Sequence, residues 1–390
     1  MRAIVVGAGI GGLTAALSLR RAGHDVTLVE RSRHLSEIGA GIQLAPNATR
    51  VLRRLDLLDA VAEHSTRPAH LSFRAWSDGS EICRYVIGPE AEAEFGAPYL
   101  QVHRADLQQA LVAAVPPESL RLATTVAGID QDERSATVTT GSGERLEADL
   151  VVAADGIRSA ARQWLFGADE AVFSHTAAYR ALLPAAEVAD LDLPEYAGWL
   201  GPNRHVVHYW LRRGQLLNVV AVFVTDRVAQ ESWTAQAEPG EQLRAFAGWD
   251  PRLLTVLERA GRVFRYGIHT RAPLPRWNAG RVTLLGDSAH AMVPFQAQGA
   301  AQAIMDAAVL GDCLTGVTPE EVPEALDRYV RRRAPAATAV QAGSARAGHD
   351  YHLPDGPEAE ERNARLVALA AENRFGPHSA AWPVDVLADG

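Results

Sequence analysis

The chain has 390 residues, enough to bury a large core and to hold two domains, or one domain with a large insert. A formal net charge of −9 and a pI near 5.8 exclude the basic face that a nucleic-acid partner needs, and no run approaches the roughly 18 uncharged apolar residues of a membrane span. Cys83 and Cys313 are isolated, with neither metal-ligand spacing nor a disulfide framework, so a reducing cytoplasm and no metal are expected.

The N-terminal MRAIVVGAGIGGLTAALSLRRAG has the outline of a signal peptide, but its glycines fall mid-run and no cleavage-type exit follows, so no targeting role is expected. The stretch reads instead as a buried strand over Ala3–Val6, a glycine turn, a helix over Leu13–Ala22 stopped by Gly23, and a second strand over His24–Val29 that ends at Glu30. Gly7, Gly9 and Gly12 form G-x-G-x-x-G with a strand before, a helix after and an acid about 20 residues on. That context predicts a dinucleotide site. The glycines permit the tight turn and close approach of a pyrophosphate, Glu30 accepts from a ribose hydroxyl, and Arg31 lies beside it. The motif does not separate FAD from NAD.

Residues 39–58 read as a glycine-rich loop feeding a helix near Pro46, with Arg53 and Arg54 on a solvated face. Residues 67–87 read as a hairpin turning at Ser77–Ser80, and Tyr99–Val115 as helix. Arg104 near its start is either a surface cation or a partner for a ligand's phosphates. Leu120–Leu150 reads as a strand meander, after which Val151–Ala154 is a strand ending in Asp155-Gly156. A second such corner follows at Val282–Leu285 with Gly286-Asp287, leading through a Pro-bearing turn into an Ala-rich helix that opens at Gly299-Ala300. A strand that delivers a carboxylate, followed by a helix N-terminus, suits a polyhydroxylated anionic ligand.

Between the corners, residues 168–276 are richer in strands and aromatics. The spans 198–211 and 216–224 form a hairpin, in which alternation places His205, Val207 and Tyr209 on one face and His208 on the other. Trp233–Leu257 reads as helix, as do Pro319–Arg333, Ala336–Ala347 and Glu358–Asn373, and Gly376–Gly390 as a loosely ordered tail. There is no second G-x-G-x-x-G.

Three motifs carry a resemblance over nearly the whole chain: GAGIGG with Glu30, Asp155-Gly156 after VVAA, and Gly286-Asp287 with PFQAQGA. The chain resembles the single-component FAD-dependent aromatic hydroxylases, the group that includes p-hydroxybenzoate hydroxylase. Through GIQLAPNA, HRADLQ, HVVHYWLRRG and GHDYHLPDGPEAEERNA it is most similar to salicylate hydroxylase and 3-hydroxybenzoate 6-hydroxylase. One departure is Met305, where the family usually has Glu.

The resemblance implies an α/β fold. A Rossmann-like FAD-binding domain (1–72, 99–166 and 276–318) carries an inserted mixed β-sheet substrate domain (73–98 and 167–275), C-terminal helices (319–375) and a tail (376–390). It implies non-covalent FAD, transient NADH or NADPH, and O2, with hydroxylation of a small phenolic or heteroaromatic substrate through a flavin hydroperoxide, by a monomer or homodimer. Carried over by motif, Gly7, Gly9, Gly12, Glu30, Arg31, Arg104, Asp155, Gly156, Asp287, Gly299 and Ala300 bind the cofactor. Pro294 and Phe295 would wall the flavin ring; Val222 is expected to line the substrate pocket, and His205 and Tyr209, which share one strand face, are the candidates for orienting the substrate and removing its phenolic proton.

Overall fold

The computed structural model describes residues 1–35, 40–167, 170–227, 235–372 and 375–382. Arg2–Val6, Leu150–Ala153 and Val282–Leu284 are short β-branched and aliphatic runs buried on nearly every residue, the pattern of parallel strands covered on both faces. They lie side by side in a six-stranded sheet with Asp25–Val29, Leu120–Arg121 and, antiparallel at one edge, Asn278–Ala279. Register pairs Val6 with Ala153 and Ala153 with Leu284, so the three chains leave the sheet at one level. What they deliver at that level is Gly7, Ala154-Asp155-Gly156 and Leu285-Gly286-Asp287. Ligands of open parallel sheets bind at this carboxyl edge.

Helices Ile10–Arg21 and Gly299–Leu314 cover one face. They approach so closely that a Cβ on Gly11 would come within 2.9 Å of Leu285 Cδ2 and 3.1 Å of Ala303 Cβ. A three-stranded meander (Val126–Gln131, Ala136–Thr140, Arg145–Ala148) packs on the other face, through Ala136 and Val138.

The second sheet has seven strands in the order Phe264–Thr270, Val172–Pro184, Leu216–Val224, Arg204–Leu211, Tyr196–Gly201, His70–Ala75, Glu81–Val86. Its two outermost strands on one side are the hairpin expected over residues 67–87, which begins at His70. Arg212 of the central hairpin donates twice to Asp106 (2.8 and 2.7 Å), tying this sheet to helix Arg104–Ala114.

Several sequence expectations need correction. The N-terminal helix begins at Ile10, which puts Gly11 and Gly12 inside its first turn. Residues 100–103 are a strand, paired with Gly41–Leu44, and the helix starts only at Arg104. Of the helix expected over Trp233–Leu257, residues 233–234 lie outside the described residues; the remainder is two short helices, Glu241–Ala245 and Pro251–Arg259. Gly248 at φ +84 and Asp250, which caps the second helix ahead of Pro251, break the run.

The two helices expected after Pro319 are one 30-residue helix, Val322–Tyr351, with Pro335 inside it. Pro335 faces solvent, so water can satisfy the carbonyl its ring leaves open, while buried Arg333 and Ala337 hold the helix on either side. The tail is packed at least to Trp382, which is 4% exposed and meets Phe95 edge-on; residues 383–390 lie outside the described residues.

Candidate active site

At the sheet's carboxyl edge, each corner is shaped for a backbone that must come close to something. Gly7 has φ +100, and a Cβ there would lie 2.5 Å from Ala154 O; one on Gly12 would lie 1.9 Å from Gly7 O. Gly9, by contrast, faces open space. Helix Ile10–Arg21 has no side-chain cap and no acid in its first turn, which leaves its N–H groups and positive dipole end to a ligand. Glu30 does not line the cavity: its carboxylate accepts from Ala8 N and Ser32 N, both at 2.8 Å, and so shapes the loop. Arg31 is exposed and also off the lining.

In the second corner Asp155 Oδ2 accepts from Ala161 N (3.2 Å), its Oδ1 is buried without a hydrogen-bond partner among the described residues, and Gly156 (φ +82) lines the cavity. In the third, Ser288 Oγ donates to Ala153 O (2.7 Å), binding this corner to the second. Gly286 donates its N–H to Asp306 Oδ2 (3.0 Å), and Asp287 is exposed toward the cavity. Asp306 is fully buried and also receives His290 Nε2 (2.6 Å) and Arg333 Nε (2.7 Å). Burial works to raise its pKa, but His290 and Arg333 outweigh that and hold it below the usual carboxylate range.

The cavity, of about 470 Å³, runs from these corners to the face of the seven-stranded sheet. Arg104, Gly299 and Ala300 line the corner end. Helix Gly299–Leu314 also lacks a side-chain cap and a first-turn acid, and Gly299 faces open space. Two uncapped helix ends that donate N–H groups, two glycines opening on the cavity and an exposed carboxylate that accepts fit the phosphates and hydroxyls of a dinucleotide.

The sheet end carries the chemistry. His205, Val207 and Tyr209 line it together with Val220 and Val222 of the neighbouring strand, His205 lying opposite Val222. The expected alternation holds: His208 lies on the other face, where its Nδ1 accepts from Trp199 Nε1 (3.0 Å) and its Nε2 donates to Pro194 O (3.0 Å). Burial pushes the His208 pKa down to about 4, so it is a neutral core group. Tyr209 is 4% exposed, and burial, with Tyr196 and Tyr266, pushes its phenol well up; it serves as a neutral hydroxyl. Burial and the adjacent His352 push His205 well below the ordinary imidazole range. Pro294 and Phe295 complete the wall, Phe295 meeting His205 edge-on with ring centres 5.3 Å apart.

Sequence reasoning missed a second layer. Gln43 Oε1 accepts from Tyr99 OH (2.8 Å) and Tyr196 OH (2.7 Å), and Gly41 N donates to Asn218 Oδ1 (2.9 Å) beside the Tyr209 ring. The long C-terminal helix passes behind the Pro294–Gln296 turn. There a Cβ on Gly348 would lie 2.4 Å from Phe295 Cδ2, and Ser344 Oγ donates to Val293 O (2.7 Å). Its end presents Tyr351 and His352, and residues 375–378 with Trp382 close the cavity. The GIQL and GHDYHL segments that hold these residues were visible only as part of the resemblance.

Fold and site together define a flavoprotein whose cofactor corners open into an aromatic-lined cavity. The chain belongs to the FAD binding domain family, which matches residues 1–344. It is 38% identical over 366 residues, 94% of this chain and 92% of the relative, to 3-amino-4-hydroxybenzoate 2-monooxygenase PtmB3 of Streptomyces platensis. To the 3-hydroxybenzoate 6-hydroxylase of Klebsiella oxytoca it is 34% identical over 368 residues, 93% and 91% of the two chains. Among solved structures, Klebsiella pneumoniae HpxO complexed with FAD and uric acid superposes with a TM-score of 0.84 at 25% identity, covering 97% of each chain. This chain is accordingly an FAD-dependent aromatic-ring monooxygenase that uses NAD(P)H and O2. No helix among the described residues is long and apolar enough to cross a membrane, and no metal-binding cluster occurs among them.

Proposed function

We propose that the enzyme hydroxylates a small carboxylated phenol or hydroxy-heteroaromatic, with loss of CO2 when the ring carbon attacked bears the carboxylate. The observation that carries this reading is the sheet end of the cavity: one neutral imidazole and one neutral phenol, His205 and Tyr209, set among Val207, Val220, Val222, Pro294 and Phe295. The relatives' names place hydroxybenzoates and an aminohydroxybenzoate in the same class of substrate.

FAD, held non-covalently, supplies hydride acceptance and O2 activation when bound. In this reading Gly7, Gly9 and Gly12 let the helix at Ile10 meet its pyrophosphate, Arg104 meets phosphate or sugar, Asp287 accepts from hydroxyls, and the helix opening at Gly299-Ala300 favours negative charge on the reduced ring. Glu30 and Asp155 act through the loops they brace. Tyr209 orients the substrate's hydroxyl and His205 takes up its proton, because a phenolate ring is far more nucleophilic than a phenol. The apolar walls keep water out while this happens. Cys83 and Cys313 are buried thiols, which suits a reducing cytoplasm.

The test is NADH consumption and O2 uptake by the yellow holoenzyme across hydroxybenzoates, aminobenzoates, hydroxypyridines and hydroxyquinolines. Stimulated NADH oxidation with matching hydroxylated product supports the reading. Stimulation by none, or hydrogen peroxide as the sole product with all of them, overturns it.

A further inference from the structure

Behind His205, outside the cavity, stands a second imidazole that the proposed chemistry has not used. His205 Nδ1 lies 2.7 Å from His352 Nε2, with the rings stacked at 4.9 Å between centres. The partner comes from 147 residues away, at the C-terminal cap of the helix Val322–Tyr351. The pair is built in from several sides. Phe295 meets both rings edge-on (5.3 and 5.6 Å), Tyr351 meets His205 at 5.5 Å, and Asn203 N donates to His352 O (3.0 Å), fixing the backbone that carries the ring. His205 is 2% exposed, and its exposure is to the cavity it lines; His352 is not on that lining yet keeps 9% of its surface accessible. The two rings thus lead from the cavity to an imidazole that lies outside it and keeps some accessible surface.

Two ring nitrogens at 2.7 Å share one proton, so the tautomers of the two imidazoles are coupled. With the proton on His205 Nδ1, its Nε2 is bare and can accept. Burial disfavours the charged form of both rings, pushing His352 down to about 4 by burial first and His349 second, so neither holds an extra proton for long. A proton taken in at the pocket side has to be passed on.

We propose that His352 is a positioning and proton-relay residue for the monooxygenase, through which the substrate's hydroxyl proton leaves the cavity. The step balances without any redox change. The substrate O–H bond breaks and its proton joins His205 Nε2; the His205 Nδ1–H bond breaks and that proton joins His352 Nε2; His352 releases its Nδ1 proton to water. The substrate is left as the phenolate, both imidazoles end neutral in the opposite tautomer, and one proton is in solvent. Reprotonation of the product oxygen runs the chain backwards and resets both rings without a ring flip.

This inference rests on His205 meeting the substrate as proposed above, and the test separates the two. The holoenzyme is mixed with a nitro-substituted hydroxybenzoate whose phenolate absorbs in the visible, chosen from compounds shown to bind, and the phenolate signal is followed by stopped flow. His352→Gln keeps a hydrogen-bonding group beside His205 Nδ1 but cannot pass a proton. It is expected to bind the analogue within about threefold of wild type while forming phenolate at least about 100-fold more slowly, the low end of what general-base assistance supplies. His205→Ala should be slowed at least as much, and His205→Ala/His352→Gln no more than His205→Ala alone, because the residues act in series. Should His352→Gln fold poorly, His352→Ala with added imidazole replaces it, and recovery of the phenolate rate by imidazole is the expected result.

Wild-type phenolate formation in His352→Gln with slowed formation in His205→Ala overturns the relay and leaves the role of His205 standing. Additive losses, or no recovery by imidazole, also overturn it. If neither single variant is slowed, the proposed role of His205 fails and the relay with it.

Discussion

The corner that presents Asp287 is held from below by Asp306, and removing that carboxylate should both destabilise the protein and loosen the cofactor. Asp306 has no exposed surface, and the side chains hydrogen-bonded to it are buried too: Arg333 and His290 are each 1% exposed. In Asp306→Ala the Arg333 guanidinium keeps its 2.6 Å bond to Gln302 Oε1 but loses its counter-charge, and the Gly286 N–H loses its acceptor. Breaking a buried pair by deleting one partner costs about 3–5 kcal/mol. Against a typical total of about 5–15 kcal/mol, that places the variant near the edge of foldedness. Asp306→Asn can still accept from Gly286 or Arg333 and should lose less, about 1–3 kcal/mol.

Urea unfolding of FAD-stripped protein, beside FAD fluorescence titration of the folded protein, measures the two consequences separately. The expected order for both is wild type, then Asn, then Ala. A double variant, Asp306→Leu/Arg333→Met, removes charge and counter-charge together and should recover most of the stability. It should not recover FAD affinity, because Gly286 still lacks its acceptor and the adjoining Asp287 is no longer fixed. An Asp306→Ala protein with wild-type midpoint and wild-type FAD affinity would refute the reasoning.

The other predictions concern the ends of the cavity. Asp287→Ala should stay folded but bind FAD roughly 10–100-fold more weakly, matching the loss of hydrogen bonds to a charged group worth about 1.5–3 kcal/mol; spectrophotometric titration decides it, and unchanged affinity removes Asp287 from the site. His205→Ala should retain FAD and NADH oxidation but release hydrogen peroxide in place of product, with hydroxylation slowed about 10²–10⁴-fold, whereas His208→Ala should stay coupled; the product-to-NADH ratio of each variant tests both. His208→Ala should instead show up in stability against pH. The pKa of His208 is lowered from 6.5 to about 4, so the unfolded chain takes up the proton first. Its contribution is therefore complete above pH 6.5 and is lost as pH falls toward 4, by about 3 kcal/mol in all, and the variant's urea midpoint should fall less steeply over that window; equal slopes would count against a neutral buried His208. Because FAD occupies the single dinucleotide motif, NAD(P)H should bind weakly and reduce the flavin faster when a productive aromatic is bound; stopped-flow reduction rates indifferent to every productive aromatic would contradict this.

The cofactor end of the molecule was legible because its constraints are local. A strand that ends in Gly-x-Gly or beside Asp-Gly writes its turn and its ligand chemistry into adjacent residues, and Gly7, Gly12 and Gly286 stand where positive φ or a contact under 2 Å with backbone leaves no other choice. Alternation, equally local, separated His205 and Tyr209 from His208. Where function depends on distance along the chain, the same reasoning stops. Pro335 reads as a helix break, yet it sits on the solvent side of a helix whose buried face is continuous, and only that continuity carries His352 to within 2.7 Å of His205. Gly343 and Gly348 look like weak points in a helix. They are instead the places where Gln296 and Phe295 press against it, with a Cβ leaving only 2.8 and 2.4 Å. The tail reads as loosely ordered, although its Trp382 finds Phe95, as Phe375 just before it does. Each of these features makes the chain beyond residue 334 a wall of the pocket, so substitutions there should alter which aromatic is accepted while the FAD-binding corners, all built from residues before 301, continue to hold the cofactor.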